Sequence, residues 1–227
     1  MKKKIKVFKY QDVFEVKKKF GISKLGLMTN KIWQDDPKRM PITLSRYKFV
    51  SKMLEGKKNV LEVGCGDSFQ NRIVGQVVSR LTAIDINKDF IKDARKNNPK
   101  TYNVNHYVHN ILEKPFRVQG KNFDAAYSLD VLEHIEKKSE NLFIKNILSS
   151  LDKHGVFIVG MPSIESQKYA SEGSKRGHVN CKTGNKLKEL LSKHFCNVFV
   201  FSMNDEVVHT GFYPMAHYLI GLCCGKK

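Results

Sequence analysis

The chain contains 227 residues, 41% of them hydrophobic, which is enough to bury one sizeable core without requiring two domains. It has no run of about 18 uninterrupted apolar residues, and no apolar segment follows the charged start "MKKKIKVFKY", so we expect no membrane insertion and no secretory signal. The five cysteines lack CxxC spacing, which argues against a disulfide framework or a thiolate zinc site and favours a cytoplasmic location.

The formal charge of +18 suggests an anionic partner, because clustered basic side chains attract phosphates and acidic headgroups. Only seven of the forty basic residues are arginine, the side chain best suited to bidentate phosphate recognition, and the lysines are scattered. A solvated lysine-rich surface therefore explains the charge without a partner. The alternative explanation of the charge is an anionic substrate. Nucleic acid is possible as a partner, but the composition does not favour it.

The first 43 residues have a different pattern from the rest. "VFEVKKKFGISKLG" can form a short helix, whereas "WQDDPKRMP" predicts turns, since each proline restricts the residue before it. We expect residues 1–43 to form an N-terminal arm or lid and residues 44–227 to form the main domain. A packed N-terminal extension without a lid function is the alternative.

From about residue 44, short apolar runs alternate with longer amphipathic segments, which predicts a parallel sheet with helices on both faces. Strands are expected at 59–63, 81–84, 102–108, 123–129 and 155–161, separated by segments such as "NKDFIKDARKNN" and "SENLFIKNILSSL". After the amphipathic "GNKLKELLSKHF", the runs "NVFVFSM" and "AHYLIGLCC" are close enough for an antiparallel return. The expected fold class is α/β: a doubly wound, mostly parallel sheet of seven strands whose last strand is antiparallel.

The stretch "VLEVGCGDSF" places two glycines where the first strand ends. Gly64 and Gly66 allow a sharp turn and a close approach of a ligand, and a helix from about Ser68 would direct its N–H groups at that ligand. The third glycine of a dinucleotide fingerprint is replaced by Phe69, and a P-loop is absent. A tight turn without a ligand therefore remains an alternative. The second strand ends in "AIDIN", where the Asp85 carboxylate can bind both ribose hydroxyls.

Together, "VLEVGCGD" and "AIDIN" resemble the first two motifs of the class I S-adenosylmethionine-dependent methyltransferases, which have a Rossmann-like fold, and the resemblance covers about residues 44–224. It implies S-adenosylmethionine as cofactor. The binding residues that it implies are Glu62, Gly64, Cys65, Gly66, Asp85, Ile86, Asn110, Ile111, Ser128 and Leu129. By this resemblance the glycine loop and Glu62 hold the methionine part and Asp85 holds the ribose. The family often has an acidic residue where this chain has Asn110. The Asn110 side-chain carbonyl can still accept a hydrogen bond from the adenine amino group, and Ile111 would pack against the adenine ring.

The fourth strand ends in "SLDVLEHI", which resembles quinone O-methyltransferases and small-RNA 2′-O-methyltransferases; the tail from "GHVNCK" resembles a branch found with surface-polysaccharide biosynthesis. These resemblances imply O-methylation of a small or saccharide-like acceptor. An RNA ribose methyltransferase and a non-catalytic cofactor-binding protein are the alternatives. Phe212 and Tyr213 either line the acceptor pocket or belong to the core, and the oligomeric state is left open.

Three candidate catalytic residues are Asp130, His134 and His178. If a helical turn begins near Asp130, then Glu133 and His134 lie on the same face, and His178 follows the neighbouring fifth strand. By the resemblance, Asp130, Glu133, His134 and His178 hold a divalent ion, Mg²⁺ or Mn²⁺. Otherwise His134 or His178 acts as a metal-free base. His209 is a third candidate base, and a hydrogen-bonded structural role is the alternative for each of these histidines and for His217.

Overall fold

The computed structural model describes residues 10–98 and 102–227, so the first nine residues of the expected arm lie outside the described residues. Its strands are β1 (Asn59–Val63), β2 (Arg80–Asp85), β3 (Val104–Val108), β4 (Phe123–Leu129), β5 (Leu151–Pro162), β6 (Phe195–Asn204), β7 (Val207–His209) and β8 (Tyr218–Lys226). They form one sheet in the order β3-β2-β1-β4-β5-β8-β6-β7. Strands β1 to β5 are paired in parallel, and β8 is antiparallel to both β5 and β6.

This arrangement confirms the α/β class, the mostly parallel sheet and the antiparallel last strand. The expected number of seven strands is wrong, because the sheet has eight. The additional strand, β7, consists of three residues that pair antiparallel with the end of β6, where Met203 lies opposite Val208. The parallel strands end at a common edge: Val63 pairs with Ile84, and Asp85 pairs with Val108. Side chains that follow these strands therefore meet at one edge.

Eight helices occur within the described residues: α1 (Gln11–Phe20), α2 (Leu27–Asp35), α3 (Arg39–Met53), α4 (Arg72–Gly75), α5 (Lys88–Asn97), α6 (Glu140–Ser150), α7 (Glu172–Gly177) and α8 (Gly184–Ser192). The two larger apolar clusters pack on the sheet. One includes Phe143 and Ile147 of α6 with Leu187 and Leu191 of α8. The other includes residues of α3 and α4. None of the helices in residues 10–98 and 102–227 is long and apolar enough to cross a membrane.

Two local expectations differ from the structure. The helix after the glycine loop begins at Arg72 and not near Ser68, because Ser68 has a left-handed backbone (φ 59°), which a right-handed helix excludes. The segment "WQDDPKRMP" is also more helical than expected. Pro37 lies in the turn between α2 and α3, whereas Pro41 lies in the first turn of α3, where its missing N–H leaves no bond unmade.

The arm is fastened to the glycine loop through the first turn of α2. The buried Asp67 carboxylate accepts hydrogen bonds from the Thr29 N–H (2.7 Å) and the Thr29 hydroxyl (3.0 Å). Asp93 of α5 accepts from the Leu27 N–H at 2.9 Å. Both carboxylates satisfy N–H groups that a helix start leaves without intrahelical partners. Helix α3 runs through residue 43, and the division into an arm of residues 1–43 and a domain of residues 44–227 stays a prediction.

We expect Asp67→Ala to lower the free energy of unfolding by about 2 to 4 kcal/mol, because it leaves buried N–H and hydroxyl donors of Thr29 without an acceptor. Denaturant titration of the variant beside Asp152→Ala, which removes an exposed carboxylate, measures this loss. An unchanged midpoint for Asp67→Ala would show that Asp67 does not stabilise the docked α2.

Candidate functional site at the carboxyl edge of the sheet

The glycine loop is held by the end of β2. Gly64 has φ 82° and donates its N–H to the Ile84 carbonyl at 2.8 Å; the Gly66 N–H donates to the Asp85 carboxylate at 2.9 Å. A side chain at Gly64 is excluded twice, by this left-handed backbone and by Val131, whose Cγ2 would lie 2.2 Å from an added Cβ. Cys65, between the two glycines, is buried, and this burial raises the pKa of its thiol well above the usual value.

At the end of β2 a fixed carboxylate lies beside an exposed apolar side chain. One Asp85 oxygen accepts from Gly66 and the other from the Asn87 N–H at 2.8 Å, so the carboxylate is fixed beside the loop. The next residue, Ile86, is 67% exposed, which leaves an apolar surface beside a fixed carboxylate. A carboxylate next to an apolar surface suits a ribose joined to a base.

The end of β3 presents Asn110 and Ile111. The Asn110 carbonyl already accepts from the Leu112 N–H at 3.0 Å, and its amide nitrogen donates to Glu113 at 3.1 Å. An amide oxygen has two lone pairs, so it retains capacity for a second donor. Ile111 is buried in the core, and Asn146 donates to its carbonyl at 2.7 Å. The Asn110 role in adenine binding stays a prediction.

At the end of β4 the chain turns sharply at Asp130. Ser128 is buried and donates to the Val63 carbonyl at 2.9 Å, and the neighbouring Leu129 is also buried. Asp130 itself has φ 57°, a left-handed conformation that is uncommon for residues other than glycine. Both of its carboxylate oxygens lie 2.8 Å from Nη1 of Arg46 in α3.

Sequence reasoning missed Arg46. Its guanidinium lies 3.7 Å from the centre of the Tyr218 ring, and its buried Nε has no hydrogen-bond partner within the described residues. The one available signal was "SRYKF", in which an arginine stands among many lysines. Arginine is the basic residue that both pairs with carboxylates and stacks on rings.

Glu62 lies behind the glycine loop and does not project into open space. It is buried, and it accepts from the Tyr47 hydroxyl (3.0 Å) and from the Asn71 amide (2.9 Å). Burial raises the pKa of Glu62 to about 7, although both hydrogen bonds favour the charged form. In the structure Glu62 thus joins α3 to the loop, and its contact with the methionine part of a cofactor stays a prediction.

A second group of side chains follows β4. Glu133, His134 and His178 each offer a ligand atom, and these atoms lie within 4.8 Å of one another. Asp130, the fourth expected ligand, is outside this group. Two features of the turn and one distant side chain explain this: Asp130 is left-handed, only Leu132–His134 form a short 3₁₀ turn, and Arg46 holds the Asp130 carboxylate.

Both histidines are held in one tautomer by acceptors. His134 Nδ1 lies 2.8 Å from the Gly177 carbonyl, which can only accept, so Nδ1 carries the proton. His178 Nδ1 lies 2.7 Å from Oε1 of Gln167. The Gln167 amide nitrogen donates to the Ser163 carbonyl at 3.2 Å, which turns its oxygen toward His178. Nε2 of each ring therefore has a free lone pair, as a metal ligand or a base requires.

Glu133 is buried, and neither of its carboxylate oxygens has a hydrogen-bond partner within the described residues. Burial, and next the charge of Asp130, raise the pKa of Glu133 well above its usual value. Burial also lowers the pKa of His178, with His134 adding to this shift. A buried carboxylate without a partner is costly, so the unmet Glu133 oxygens, grouped with two histidines, indicate a site for a polar or cationic ligand.

The segment that carries His178 is closed at its base. Ser163 and Lys182 form an isolated parallel bridge, and the Ile164 N–H donates to the Lys182 carbonyl at 3.0 Å. The buried Lys182 ammonium donates to Glu140 at 2.7 Å and to Asn180 at 3.0 Å. Burial opposes ionisation of Glu140, but the hydrogen bonds from Lys182 and Asn180 hold its pKa below the usual value.

The other expected residues lie in or beside the last hairpin. His209 bonds Asn204 at 2.9 Å and accepts from the Gly211 N–H at 2.9 Å, as a structural histidine does. His217 accepts from the Asp205 N–H at 3.3 Å through Nδ1. Tyr213 packs against Gly184, whereas Phe212 is 70% exposed.

A cavity of about 280 Å³ lies at the opposite edge of the sheet. Its lining includes Lys226 and Lys227, whose ammonium groups donate to the carbonyls of Leu148 and Ser192. Because these carbonyls lie at the carboxyl ends of α6 and α8, the lysines stabilise helix ends.

A family model described as "Methyltransferase domain" matches residues 61–159, a range that contains the glycine loop, Asp85 and the Glu133–His134 turn. Residues 61–159 thus match a methyltransferase domain, and this part of the chain is called the methyltransferase domain below.

The curated relatives of this methyltransferase domain include two proteins named "Ubiquinone biosynthesis O-methyltransferase". The protein of Xanthomonas axonopodis pv. citri is 28% identical over 118 residues, and that of Xanthomonas euvesicatoria pv. vesicatoria is 26% identical over 119. Each match covers 50% of this chain and 49% of the relative, so the chain spans about half the length of the curated relatives it matches.

Solved methyltransferase structures share the fold. The N-methyltransferase NodS from Bradyrhizobium japonicum, in complex with S-adenosyl-L-homocysteine, has a TM-score of 0.61 at 18% identity, over 85% of this chain and 90% of NodS. The methyltransferase domain of bacterial CtHen1-C has a TM-score of 0.64 at 15% identity, over 81% of this chain and 98% of that domain. At such identities the likeness shows the fold alone.

The raised pKa of Glu62 predicts a pH-dependent stability of the methyltransferase domain. The pKa is about 7 in the folded chain against 4.5 for the free group, so the folded state binds the proton more tightly. The free energy of unfolding should therefore fall by up to about 3 kcal/mol between pH 4.5 and 7. Glu62→Gln should lack this pH-dependent part of the stability. Denaturant titrations of both proteins between pH 4.5 and 7 measure the difference, and parallel stability profiles would contradict the raised pKa of Glu62.

Asp85→Ala should weaken binding of S-adenosylhomocysteine by at least about hundredfold, because it removes the carboxylate expected to hold the ribose and the acceptor that fixes Gly66. Isothermal calorimetry measures the affinity, with the exposed Asp89→Ala of α5 as the matched control. If Asp85→Ala bound with unchanged affinity, the cofactor would lie elsewhere.

Proposed function

We propose that this methyltransferase domain transfers a methyl group from S-adenosylmethionine to a hydroxyl of a small or saccharide-like acceptor, of the kind that occurs in surface polysaccharides. The observation that carries the proposal is the buried, unpartnered Glu133 carboxylate, which forms one group of possible ligands with His134 and His178. The names of the curated relatives support O-methylation. The resemblance of the tail to polysaccharide-associated methyltransferases supports a saccharide-like acceptor.

The residues of the glycine loop and of β2 fit the cofactor. Gly64 and Gly66 expose backbone at the end of β1, Asp85 offers a fixed carboxylate, and Ile86 offers an apolar surface. The similar structures of NodS and of the plantazolicin methyltransferase BpumL are complexes with S-adenosylhomocysteine, which supports the same assignment here. S-Adenosylmethionine, when bound, supplies an electrophilic methyl group on its sulfonium.

The residues after β4 have two tasks in such a transfer. They align the acceptor hydroxyl with the methyl group. They also either accept the hydroxyl proton or lower the pKa of the hydroxyl. His134 and His178 each have an Nε2 lone pair that can accept this proton. The Asp130–Arg46 ion pair positions the turn that carries Glu133 and His134.

A divalent cation bound by Glu133, His134 and His178 is the finer part of the proposal. Two neutral imidazole nitrogens and one carboxylate with unmet oxygens form a suitable donor set, and each histidine has the supporting acceptor that metal-bound histidines usually have. Without Asp130 the set is poorer in oxygen than expected, which favours Mn²⁺ or Zn²⁺ over Mg²⁺. Such an ion would lower the pKa of the acceptor hydroxyl.

The proposal is tested by measuring formation of S-adenosylhomocysteine with phenolic acceptors, nucleotide sugars and RNA ending in a free 2′-hydroxyl. Glu133→Gln, His134→Asn and His178→Asn should each lower the turnover number by about 10²- to 10⁴-fold. The exposed His154→Asn, at the opposite edge of the sheet, is the matched control. Turnover with RNA and with no other acceptor would show that the acceptor is RNA and not a small molecule. Full turnover by all three variants would show that Glu133, His134 and His178 take no part in the reaction.

Chelation separates the two forms of the proposal. If the group holds an ion, EDTA should abolish turnover, and Mn²⁺ or Zn²⁺ should restore it better than Mg²⁺. Full turnover in EDTA by protein that contains no metal would leave His134 and His178 as metal-free bases.

A further inference from the structure

Helix α1 is an amphipathic helix that the rest of the described chain leaves uncovered. None of its residues is buried. Tyr10, Val13, Phe14 and Val16 are between 56% and 67% exposed. At 100° per residue these four and Phe20 lie within one half of the helix circumference. Exposed apolar faces on one side of a helix mark sites where a partner binds.

The charge around this face shows what kind of partner it fits. Lys17, Lys18, Lys19 and Lys24 are exposed in or just after α1. The first 24 residues of the sequence contain nine lysines and two acidic residues, a net charge of +7. A basic helix with an aromatic and aliphatic face is typical of segments that lie on anionic membrane surfaces, where the apolar face enters the headgroup region and lysines reach the phosphates.

We infer that α1 binds the surface of an anionic lipid bilayer. A second copy of this chain would bring the same positive charge against the face, which disfavours self-association. Nucleic acid would pair with the lysines and stack on Tyr10 or Phe14, but it would leave Val13 and Val16 uncovered. A partner that is both anionic and apolar is needed to pair with the lysines and to cover the apolar side chains of α1.

The attachment of α2 gives this binding a consequence for the site. Leu27 and Thr29 are fastened to Asp93 and Asp67, so α1 is joined to the glycine loop by the short segment 21–26. Six residues span at most about 20 Å. A bilayer bound by α1 would therefore lie close to the carboxyl edge of the sheet. The inference itself does not depend on the proposed function.

The test is co-sedimentation of the full chain with vesicles of phosphatidylcholine alone or with added phosphatidylglycerol, at low and high salt. The chain should sediment with the anionic vesicles only, and salt should weaken binding. The variant Lys17→Gln/Lys18→Gln/Lys19→Gln and the variant Val13→Ser/Phe14→Ser should each bind at least about tenfold more weakly. Because no α1 residue is buried, both variants should retain the melting temperature of the parent chain.

The matched control removes three exposed lysines from another helix: Lys88→Gln/Lys92→Gln/Lys96→Gln in α5 should bind within about threefold of the parent chain. Equal loss in this control would assign binding to total charge and overturn the inference. Unchanged binding by Val13→Ser/Phe14→Ser would also overturn it. So would tighter binding of single-stranded RNA than of anionic vesicles, if the apolar variant left RNA binding intact.

Discussion

The contact between Gly64 and Val131 is the constraint on which the site depends. Gly64 belongs to the loop that follows β1, and Val131 begins the turn that carries Glu133 and His134. An added Cβ at Gly64 would lie 2.2 Å from the Val131 side chain, so the two segments pack with no room for a methyl group. The Asp85 end and the histidine end of the site are therefore parts of one packed unit, and a shift in one must move the other.

Carboxylates with different partners hold this unit in place. Asp67 and Asp85 accept from backbone N–H groups, Glu62 accepts from Tyr47 and Asn71, and Asp130 pairs with Arg46. The bonds to Thr29, Tyr47 and Arg46 fasten helices α2 and α3 to the ends of the central strands. Glu133 differs because its oxygens have no partner in the described part of the chain, whereas each of the other four carboxylates has at least one.

The sequence predicted the fold well because its signals were local. The bounds of β1 and β4 match the expected runs, since each is a buried apolar segment that ends at a glycine or an aspartate. The three residues of β7 lack any such run, and they form a strand only because β6 extends beside them. The helix expected from Ser68 failed at a single left-handed residue, which no apolar periodicity reveals.

The site was harder to predict because its determinants are long-range. Residue type and spacing indicated Glu133, His134 and His178. The separation of Asp130 from them depends on Arg46, 84 residues earlier, and the tautomers depend on Gly177 and Gln167. Spacing along one segment carries no information about such partners.

The base of the 163–182 segment has a consequence for how acceptor preference can change in evolution. The bridge between Ser163 and Lys182, with the buried Lys182–Glu140 pair, closes this segment where it leaves the sheet. Insertions between these points add little entropic cost, since loop closure depends only weakly on length. The sheet and the glycine loop can thus stay constant while the residues between Ser163 and Lys182 vary. One scaffold can then serve different acceptors by exchange of this single segment.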